Sequence, residues 1–211
     1  MAEELIFYTN PMSRGQIVRW MLEEVGAPYE TNILGYGTSM KDDAYLAINP
    51  MGKVPAIVHN GKVVTECAAI CAYLADAFPS AGLAPALADR ADYYRWMFFA
   101  AGPVEQAITA KHLGIEPDAD QQRSAGFGTL EHALDALESA VAGKTYVAGD
   151  RFTAADVYVG SQVDWGLQFG TIPSRPAFEA YAAGLRERAG YKAAKAIDNA
   201  LIAEMQAASP A

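Results

Sequence analysis

The step Val54–Pro55, followed ten residues later by Thr65-Glu66-Cys67 at the start of a helical pattern, constrains the fold more than any other feature. Proline lacks an N–H, and its tertiary amide makes a cis peptide bond accessible. A cis Pro55 in a tight turn before a strand would hold Val54 extended, with its N–H and C=O free to pair with an extended ligand. Glu66 and Cys67 would lie at a helix start, where unpaired N–H groups and the helix dipole attract a carboxylate. The two segments together predict a site for a small anionic peptide.

Composition excludes several classes of protein. The chain has 211 residues and a net charge of −9, from 16 basic and 25 acidic residues, which argues against a nucleic-acid partner. No apolar run reaches the roughly 18 residues that a membrane span needs. The start Met-Ala-Glu-Glu lacks the basic and apolar regions of a signal peptide. Two cysteines, Cys67 and Cys71, do not make a secreted disulfide framework. We therefore expect a cytoplasmic protein with no membrane partner.

The first 78 residues alternate strand and helix patterns in the order βαβ-α-ββα. Asn60-Gly61 is the strongest two-residue hairpin signal and joins the last two strands. The segment 35–44 is polar and glycine-bearing, and is typical of a loop with one turn of helix. Because only the last two strands can form a hairpin, we predict a four-stranded mixed sheet. The predicted strands are Leu5–Tyr8, Tyr29–Ile33, Ala56–His59 and Lys62–Val64, and the longer helices are Gln16–Val25 and Ala68–Phe78.

A connector that contains proline, glycine and serine, Pro79–Pro85, is the predicted domain boundary. We predict domains at residues 1–80 and 87–211, the second all-helical. Thr153-Ala-Ala-Asp156 resembles a capping box with aspartate in place of glutamate, and it predicts a structural nucleus for that domain. The predicted helices of this domain are 89–113, 121–142, 153–169, 174–189 and 191–206.

These motifs make the chain resemble the cytosolic glutathione transferases, in particular bacterial members close to the beta and theta-like classes. Asn49–Ala56 is similar to the family's Asn-Pro-x-Gly-x-Val-Pro loop, and Thr65-Glu66 to its glutamyl-binding turn. Phe152–Asp156 is similar to the capping motif of its helical domain, and Ser13–Glu24 to its first helix. The resemblance covers nearly the whole chain. It implies a thioredoxin-like N-terminal domain, an all-helical C-terminal domain, glutathione as co-substrate and a homodimer.

The resemblance also implies that glutathione reacts as its thiolate. A free thiol has a pKa of about 8.5, so a hydroxyl donor and a nearby helix N-terminus must favour the ionised form. Ser13, at the start of the first helix, is the expected donor, although a serine there also caps the helix. Tyr8, at the end of the first strand, is the alternative donor, with packing as its other role. Asn10 would assist through its amide or would simply form the turn before Pro11.

Four positions are expected to hold the glutamyl and cysteinyl parts of glutathione. Val54 would pair through its backbone with the cysteinyl unit, and Pro55 would fix that geometry. Glu66 would hold the γ-glutamyl ammonium, and the N–H of Cys67 the α-carboxylate. Serine is commoner than cysteine at position 67 in the family, so Cys67 loses a strong hydroxyl donor but keeps the backbone N–H. We expect this to weaken binding.

The remaining site residues are expected to contact the glycyl end of glutathione and the electrophile. Lys41 and Lys53 are candidates for the glycyl carboxylate, although loop lysines are often only solvated. A small hydrophobic electrophile would lie against the first helix of the second domain and the helix that starts at Thr153. The candidates there are Phe99, Pro103, Glu105 and Trp165. The three histidines are isolated and show no metal-ligand spacing, so we expect no metal.

Three functions remain open at this point. The first is a glutathione transferase that conjugates hydrophobic electrophiles in detoxification. The second uses the same thiolate for peroxide or disulfide reduction, or for ether or halide cleavage. The third is a non-catalytic dimeric binding protein that has kept the scaffold.

Overall fold

A four-stranded mixed sheet organises the N-terminal part of the chain in the computed structural model, which describes residues 4–208. The strand order is β2-β1-β3-β4. β1 is parallel to β2 because a helix connects them, and β3 is antiparallel to both β1 and β4. The turn Asn60-Gly61 has positive φ angles of 50° and 75°, as a tight hairpin requires. This confirms the predicted sheet. The strands are β1 (Leu5–Thr9), β2 (Glu30–Ile33), β3 (Ala56–His59) and β4 (Lys62–Thr65).

Three helices accompany the sheet: α1 (Gly15–Val25), α2 (Asp43–Leu46) and α3 (Cys67–Ala77). α1 buries Ile17, Val18 and Met21 at helical spacing, while alternate residues of β1, such as Phe7, are buried on the sheet. α1 ends at Gly26, whose φ of 71° suits a left-handed helix cap. The short α2, with a 3₁₀ turn before it, occupies part of the segment predicted as a loop with one turn of helix.

The rest of the chain is helical, as predicted. By contacts, the chain divides into two compact units: one contains the residues up to Leu83 and those from Glu187 onward, and the other runs from Ala84 to Arg186. None of the helices within residues 4–208 combines the length and apolar character needed to cross a membrane. The helices are α4 (Ala91–Phe99), α5 (Glu105–His112), α6 (Gln121–Ser124), α7 (Leu130–Val141), α8 (Ala154–Phe169), α9 (Pro176–Arg186) and α10 (Ala189–Ala208).

Two predicted helices are interrupted. The pattern 89–113 contains a π-helical segment, Ala100–Val104, between α4 and α5. Pro103 lies inside it, where the missing N–H and the ring's bulk disfavour regular α-helix. The pattern 121–142 breaks between α6 and α7. There Gly128 has a φ of 64°, and the Thr129 hydroxyl caps α7 by accepting the N–H of His132 at 3.1 Å.

The start of α8 has the predicted capping box, Thr153 with Asp156. The buried Asp156 carboxylate accepts the N–H of Thr153 at 2.9 Å, the N–H of Val147 at 2.7 Å and the hydroxyl of Tyr181 at 2.8 Å. Burial raises the pKa of Asp156, and the hydrogen bonds from Val147 and Thr153 oppose that rise. One carboxylate therefore ties the loop before α8, the start of α8 and α9 together.

The last helix, α10, packs against α1 within the first unit, although the predicted second domain extended to residue 211. Buried Arg19 donates from Nε to Asp198 Oδ1 at 3.3 Å, and from Nη1 to Tyr29 and Thr31 at 2.9 Å each. A buried pair of charged residues so far apart in the sequence gives no signal in the apolar periodicity. Residues 1–3 and 209–211, at the ends of the predicted domains, lie outside the described residues.

Asp156→Asn should lower the free energy of unfolding by about 2–4 kcal/mol, because an amide N–H₂ would face N–H and O–H donors that need an acceptor. Urea denaturation measures the change. Asp150→Asn is the matched control, because Asp150 is exposed and its change should stay within about 0.5 kcal/mol. Equal stabilities of the two variants would contradict the role assigned to Asp156.

Candidate functional site

The loop before β3 is folded by the side chain of Asn49. Its Nδ2 donates to the carbonyl of Lys53 at 2.8 Å, and its Oδ1 accepts the N–H of Met51 at 3.1 Å. The carbonyl of Asn49 accepts the N–H of Gly52 at 2.8 Å. The hydroxyl of Tyr45 donates to the same Lys53 carbonyl at 2.6 Å. Two donors therefore hold the carbonyl of Lys53, so the peptide group that this carbonyl shares with the N–H of Val54 has little freedom to rotate.

That next residue is Val54, and the peptide bond between Val54 and Pro55 is cis. Within residues 4–208, neither the N–H nor the C=O of Val54 has a hydrogen-bond partner. Its half-buried side chain packs on an apolar cluster that includes Tyr45 and Ala56. The chain therefore presents one residue with an unused donor and an unused acceptor, an arrangement that suits the pairing of a short extended ligand.

Gly52 is required by the close approach of its neighbours. Its φ is 56°, and a Cβ there would lie 2.8 Å from the Met40 carbonyl oxygen and 3.1 Å from Leu46 Cδ2. The Lys41 ammonium would be 2.8 Å away, and it donates to the carbonyl oxygens of Gly52 at 2.9 Å and Met51 at 3.3 Å. Lys41 thus lies across the loop that carries Val54.

The two candidate lysines differ in what they contact. Lys41 holds loop carbonyls, while the exposed side chain of Lys53 has no hydrogen-bond or ion-pair partner within the described part of the chain. Lys53 follows Gly52 directly and precedes Val54. Its cationic side chain is therefore available to a ligand carboxylate near the free peptide.

Glu66 has an unusual backbone conformation at the start of α3. Its φ of 70° and ψ of 122° are rare for a residue with a side chain. Such strain in a folded protein points to function at that position. The carboxylate of Glu66 is exposed, while its carbonyl accepts the N–H of Ile70 at 2.8 Å. The thiol of Cys67 donates to the carbonyl of Arg14 at 3.6 Å, so Cys67 joins the starts of α3 and α1.

Strand register brings these separate pieces to one edge of the sheet. Ala56 pairs with Tyr8 of β1 on one side and with Thr65 of β4 on the other. Pro55 directly precedes Ala56, and Glu66 directly follows Thr65. The Val54 peptide, Glu66 and the end of β1 therefore converge, as a site for a small peptide would require.

The turn after β1 places Ser13 ahead of α1. The Ser13 hydroxyl donates to the carbonyl of Asn10 at 2.6 Å and accepts the N–H of Gly15 at 2.9 Å. Asn10 is buried: its Nδ2 donates to the Leu34 carbonyl at 2.8 Å, and its Oδ1 accepts the N–H of Met12 at 2.9 Å. Both polar atoms of the Asn10 amide are thus used to form the turn, while the Ser13 hydroxyl accepts the N–H of the first residue of α1.

Tyr8 lies in a different environment from Ser13. Its half-buried ring is 5.6 Å from that of Tyr45, in the apolar cluster that Val54 also contacts. Burial raises the pKa of Tyr45 to about 12. Tyr8 lies near the end of a strand, whereas Ser13 precedes a helix whose N-terminus favours an anion.

The four candidates for the electrophile pocket are half-buried in the helical unit. The ring of Phe99 is 5.6 Å from that of Trp96, and the ring of Trp165 is 6.2 Å from that of Phe169. Pro103 lies in the π-helical segment. The carboxylate of Glu105 accepts from Gln162 Nε2 at 2.7 Å, a contact that the sequence pattern did not indicate.

An open groove of about 340 Å³ lies beside Glu105. Phe99, Pro103 and Trp165 do not line it. Two apolar residues that follow α5, Leu113 and Ile115, do line it, and helical periodicity over 89–113 gave no sign of their role. Within residues 4–208, no cluster of three or more histidine, cysteine or acidic side chains is placed to hold a metal. The residues lining the groove are Glu105, Gln106, Thr109, Ala110, Leu113, Ile115 and Phe127.

Comparison with known proteins finds two matching domain families. The family described as the glutathione S-transferase N-terminal domain matches residues 12–77. The corresponding C-terminal domain family matches residues 120–165. Among curated proteins, glutathione S-transferase GST-4.5 of Xanthomonas campestris pv. campestris is 30% identical over 177 residues, which is 77% of this chain and 83% of the relative.

Solved structures share the architecture over nearly the whole chain. A sphingomonad glutathione S-transferase complexed with glutathione is similar with a TM-score of 0.75 at 28% identity, covering 92% of this chain and 98% of the other. A bacterial beta-class enzyme from Sphingomonas chungbukensis gives a TM-score of 0.74 at 26% identity, with the same two coverages.

Gly52→Ala should lower the free energy of unfolding by about 2–3 kcal/mol, because the new methyl group meets a backbone oxygen and φ must stay positive. Gly114→Ala is the matched control. Gly114 has a φ of 70° and no atom within 4 Å of the place that a methyl group would take, so only the backbone cost of about 1 kcal/mol applies. Chemical denaturation of both variants gives the difference. Equal costs would contradict the close approach at Gly52.

Proposed function

Because this chain belongs to the glutathione S-transferase family, with bacterial and beta-class relatives, we propose that it ionises glutathione and joins the sulfur to small hydrophobic electrophiles. The chain is a glutathione transferase and glutathione is its co-substrate. The observation that carries the proposal for the site is the Val54 peptide, whose donor and acceptor are unused beside the exposed carboxylate of Glu66. The family relationship itself does not say which residues of this chain bind and ionise glutathione.

The proposed binding mode uses each end of glutathione. The cysteinyl unit pairs with the N–H and C=O of Val54, as one residue of added strand. The γ-glutamyl ammonium lies against Glu66, and its α-carboxylate against the N-terminus of α3, at Cys67. The glycyl carboxylate lies near Lys53 and Lys41. Because only the glutamyl end of glutathione carries an ammonium, the carboxylate of Glu66 at one end and the two lysines at the other fix the direction of the peptide.

The proposed thiolate donor is Ser13. A hydroxyl hydrogen bond and the helix N-terminus together lower a thiol pKa by roughly one to two units from about 8.5, enough to make the thiolate a major species near neutral pH. The Ser13 hydroxyl now donates to the Asn10 carbonyl at 2.6 Å, and a rotation about its Cβ–Oγ bond redirects the proton to the sulfur. Tyr8 remains the alternative donor, and its place near the end of a strand gives it no helix N-terminus to favour the thiolate.

The proposed electrophile is apolar and small. The groove beside Glu105 supports this proposal, because apolar side chains make up most of its lining and its volume of about 340 Å³ suits a small molecule. Phe99, Pro103 and Trp165 lie in the same helical unit and remain proposed contacts of the electrophile. Glutathione conjugation of such molecules is a detoxification reaction. The proposed location is cytoplasmic, in keeping with two cysteines that form no disulfide within residues 4–208.

Ser13→Ala should lower kcat/KM for conjugation of a chloronitrobenzene by about 10–100-fold, because the bound thiol loses its hydroxyl donor. Tyr8→Phe should retain activity within about threefold, since only a hydroxyl outside the reaction is removed. Spectroscopic titration of the bound thiol gives its pKa in each variant. Activity lost with Tyr8→Phe and kept with Ser13→Ala would reverse the roles, and absence of glutathione binding by the unaltered protein would favour a non-catalytic binding protein.

We also propose a homodimer. Large apolar side chains are exposed in each unit, among them Met51 at 68% and Phe98 at 67%, and burying such side chains against a second chain would stabilise a dimer. Sedimentation velocity at micromolar concentration should give twice the chain mass of 22.5 kDa. A single species at the mass of one chain would contradict the dimer.

A further inference from the structure

The last helix, α10, and the residue just before it, Arg188, contact α1 through side chains at helical spacing. Two of these contacts are ionic, one is aromatic and one is a hydrogen bond to an amide. The pairs are Arg188 with Glu24 at 2.7 Å, Tyr191 with Trp20 at 5.1 Å between ring centroids, Lys195 with Gln16 at 2.9 Å, and Asp198 with Arg19 at 3.3 Å.

One of these contacts continues into the turn that carries Ser13. Lys195 Nζ donates to Gln16 Oε1 at 2.9 Å, and Gln16 Nε2 donates to the carbonyl of Pro11 at 2.6 Å. Pro11 is buried, while Gln16 and Lys195 are half-buried. Two hydrogen bonds therefore connect a lysine of the last helix to the residue two positions before Ser13.

The lysine determines which way the amide of Gln16 points. An ammonium can only donate hydrogen bonds, so the amide oxygen must face Lys195 and the amide nitrogen must face Pro11. In the reverse orientation, two donors would oppose each other at one end and two acceptors at the other. The positive charge also polarises the amide and strengthens the N–H that bonds the carbonyl of Pro11.

The turn is held from a second direction as well. The hydroxyl of Tyr36 donates to the carbonyl of Met12 at 3.2 Å, so consecutive carbonyls, those of Pro11 and Met12, are each held by a side chain. The Ser13 hydroxyl depends on this backbone, because its own donor bond goes to the carbonyl of Asn10. A displacement of the turn by a fraction of an ångström would move the hydroxyl away from a bound sulfur.

The docking of α10 makes Lys195 a fixed point rather than a mobile surface lysine. Ala194 and Asp198, on either side of it along the helix face, are buried. Asp198 is ion-paired with Arg19, which is buried in α1. Lys195 Nζ also lies 5.6 Å from the centre of the Tyr191 ring.

We propose that Lys195 is a positioning residue for catalysis: acting through Gln16, it holds the Pro11 carbonyl and so sets the place of the Ser13 hydroxyl. This rests on the proposed role of Ser13 as the thiolate donor. Lys195 does not touch the substrate. Its effect is on the ionisation of the bound thiol and on the rate of the chemical step, and not on the contacts that bind the rest of glutathione.

Two variants break the connection in different ways. Lys195→Met removes the ammonium, and Gln16→Met removes the amide while the ammonium stays, so an effect shared by both does not come from lost charge. Each should lower kcat by about tenfold and raise the pKa of the bound thiol, with KM for glutathione changed by less than about threefold. Lys195→Arg should restore most of the activity, because it keeps a charged donor at that position.

Lys192→Met is the matched control, because Lys192 lies on the same helix, is exposed, and forms an ion pair with Glu187 at 2.6 Å. It should leave kcat and the thiol pKa unchanged. A thiol pKa unchanged in both Lys195→Met and Gln16→Met, or changed equally in Lys192→Met, would overturn the proposal. Thermal unfolding of all the variants identifies any loss of activity that comes from unfolding. If Lys195→Met is unstable, Gln16→Met alone tests the connection.

The Ser13→Ala background separates this proposal from the one on which it rests. If Ser13 is the donor and Lys195 acts through it, adding Lys195→Met to Ser13→Ala should produce no further rise in the thiol pKa. A full additional rise would overturn the positioning role while leaving Ser13 as donor. If Ser13→Ala alone leaves the thiol pKa unchanged, the assignment of Ser13 itself fails.

Discussion

The pairing of Ala56 with Tyr8 on one side and with Thr65 on the other is the constraint on which the candidate site depends. It joins three segments that are distant in sequence at one edge of the sheet. A slip of one residue in either pairing would turn the strand's side chains to the opposite face, so burial of the core also fixes the site. The apolar side chains of the sheet thus hold in place a peptide group, at Val54, that contributes little to the core itself.

Around that edge, the protein uses side-chain hydrogen bonds to arrange backbone groups. Asn49 and Tyr45 hold the Lys53 carbonyl, Asn10 forms the turn after β1, and Cys67 contacts Arg14. The bonds from Asn49, Tyr45 and Asn10 satisfy loop carbonyls that no strand or helix ladder satisfies. The peptide of Val54 is the exception, and the strained backbone of Glu66 is next to it across the sheet edge. An unused donor and acceptor beside a strained residue are expected where a ligand completes the structure.

Local signals were sufficient to predict the sheet and the start of α8. Asn60-Gly61 indicated the hairpin, and Thr153 with Asp156 indicated the cap of α8, because both depend on residues close in sequence. The break before α7 was missed, because the helical periodicity of 121–142 outweighed Gly126 and Gly128. The docking of α10 was missed for a different reason: its buried contact is the ion pair of Arg19 with Asp198, 179 residues apart, and periodicity does not detect such a pair.

The residues of the candidate site also differ in whether local sequence motifs predict them. Val54, Pro55 and Glu66 are predicted as site residues because they belong to short motifs, whereas Tyr45 and Gln16 act through contacts that only the fold creates. The central claim is that Val54 and Glu66 hold glutathione with its sulfur toward Ser13, and a crystal structure of the complex with glutathione tests it most directly. The account predicts hydrogen bonds of about 3 Å from the cysteinyl unit to the N–H and C=O of Val54, and the sulfur at a similar hydrogen-bond distance from the Ser13 hydroxyl. Glutathione bound elsewhere, or a sulfur turned away from Ser13, would contradict it.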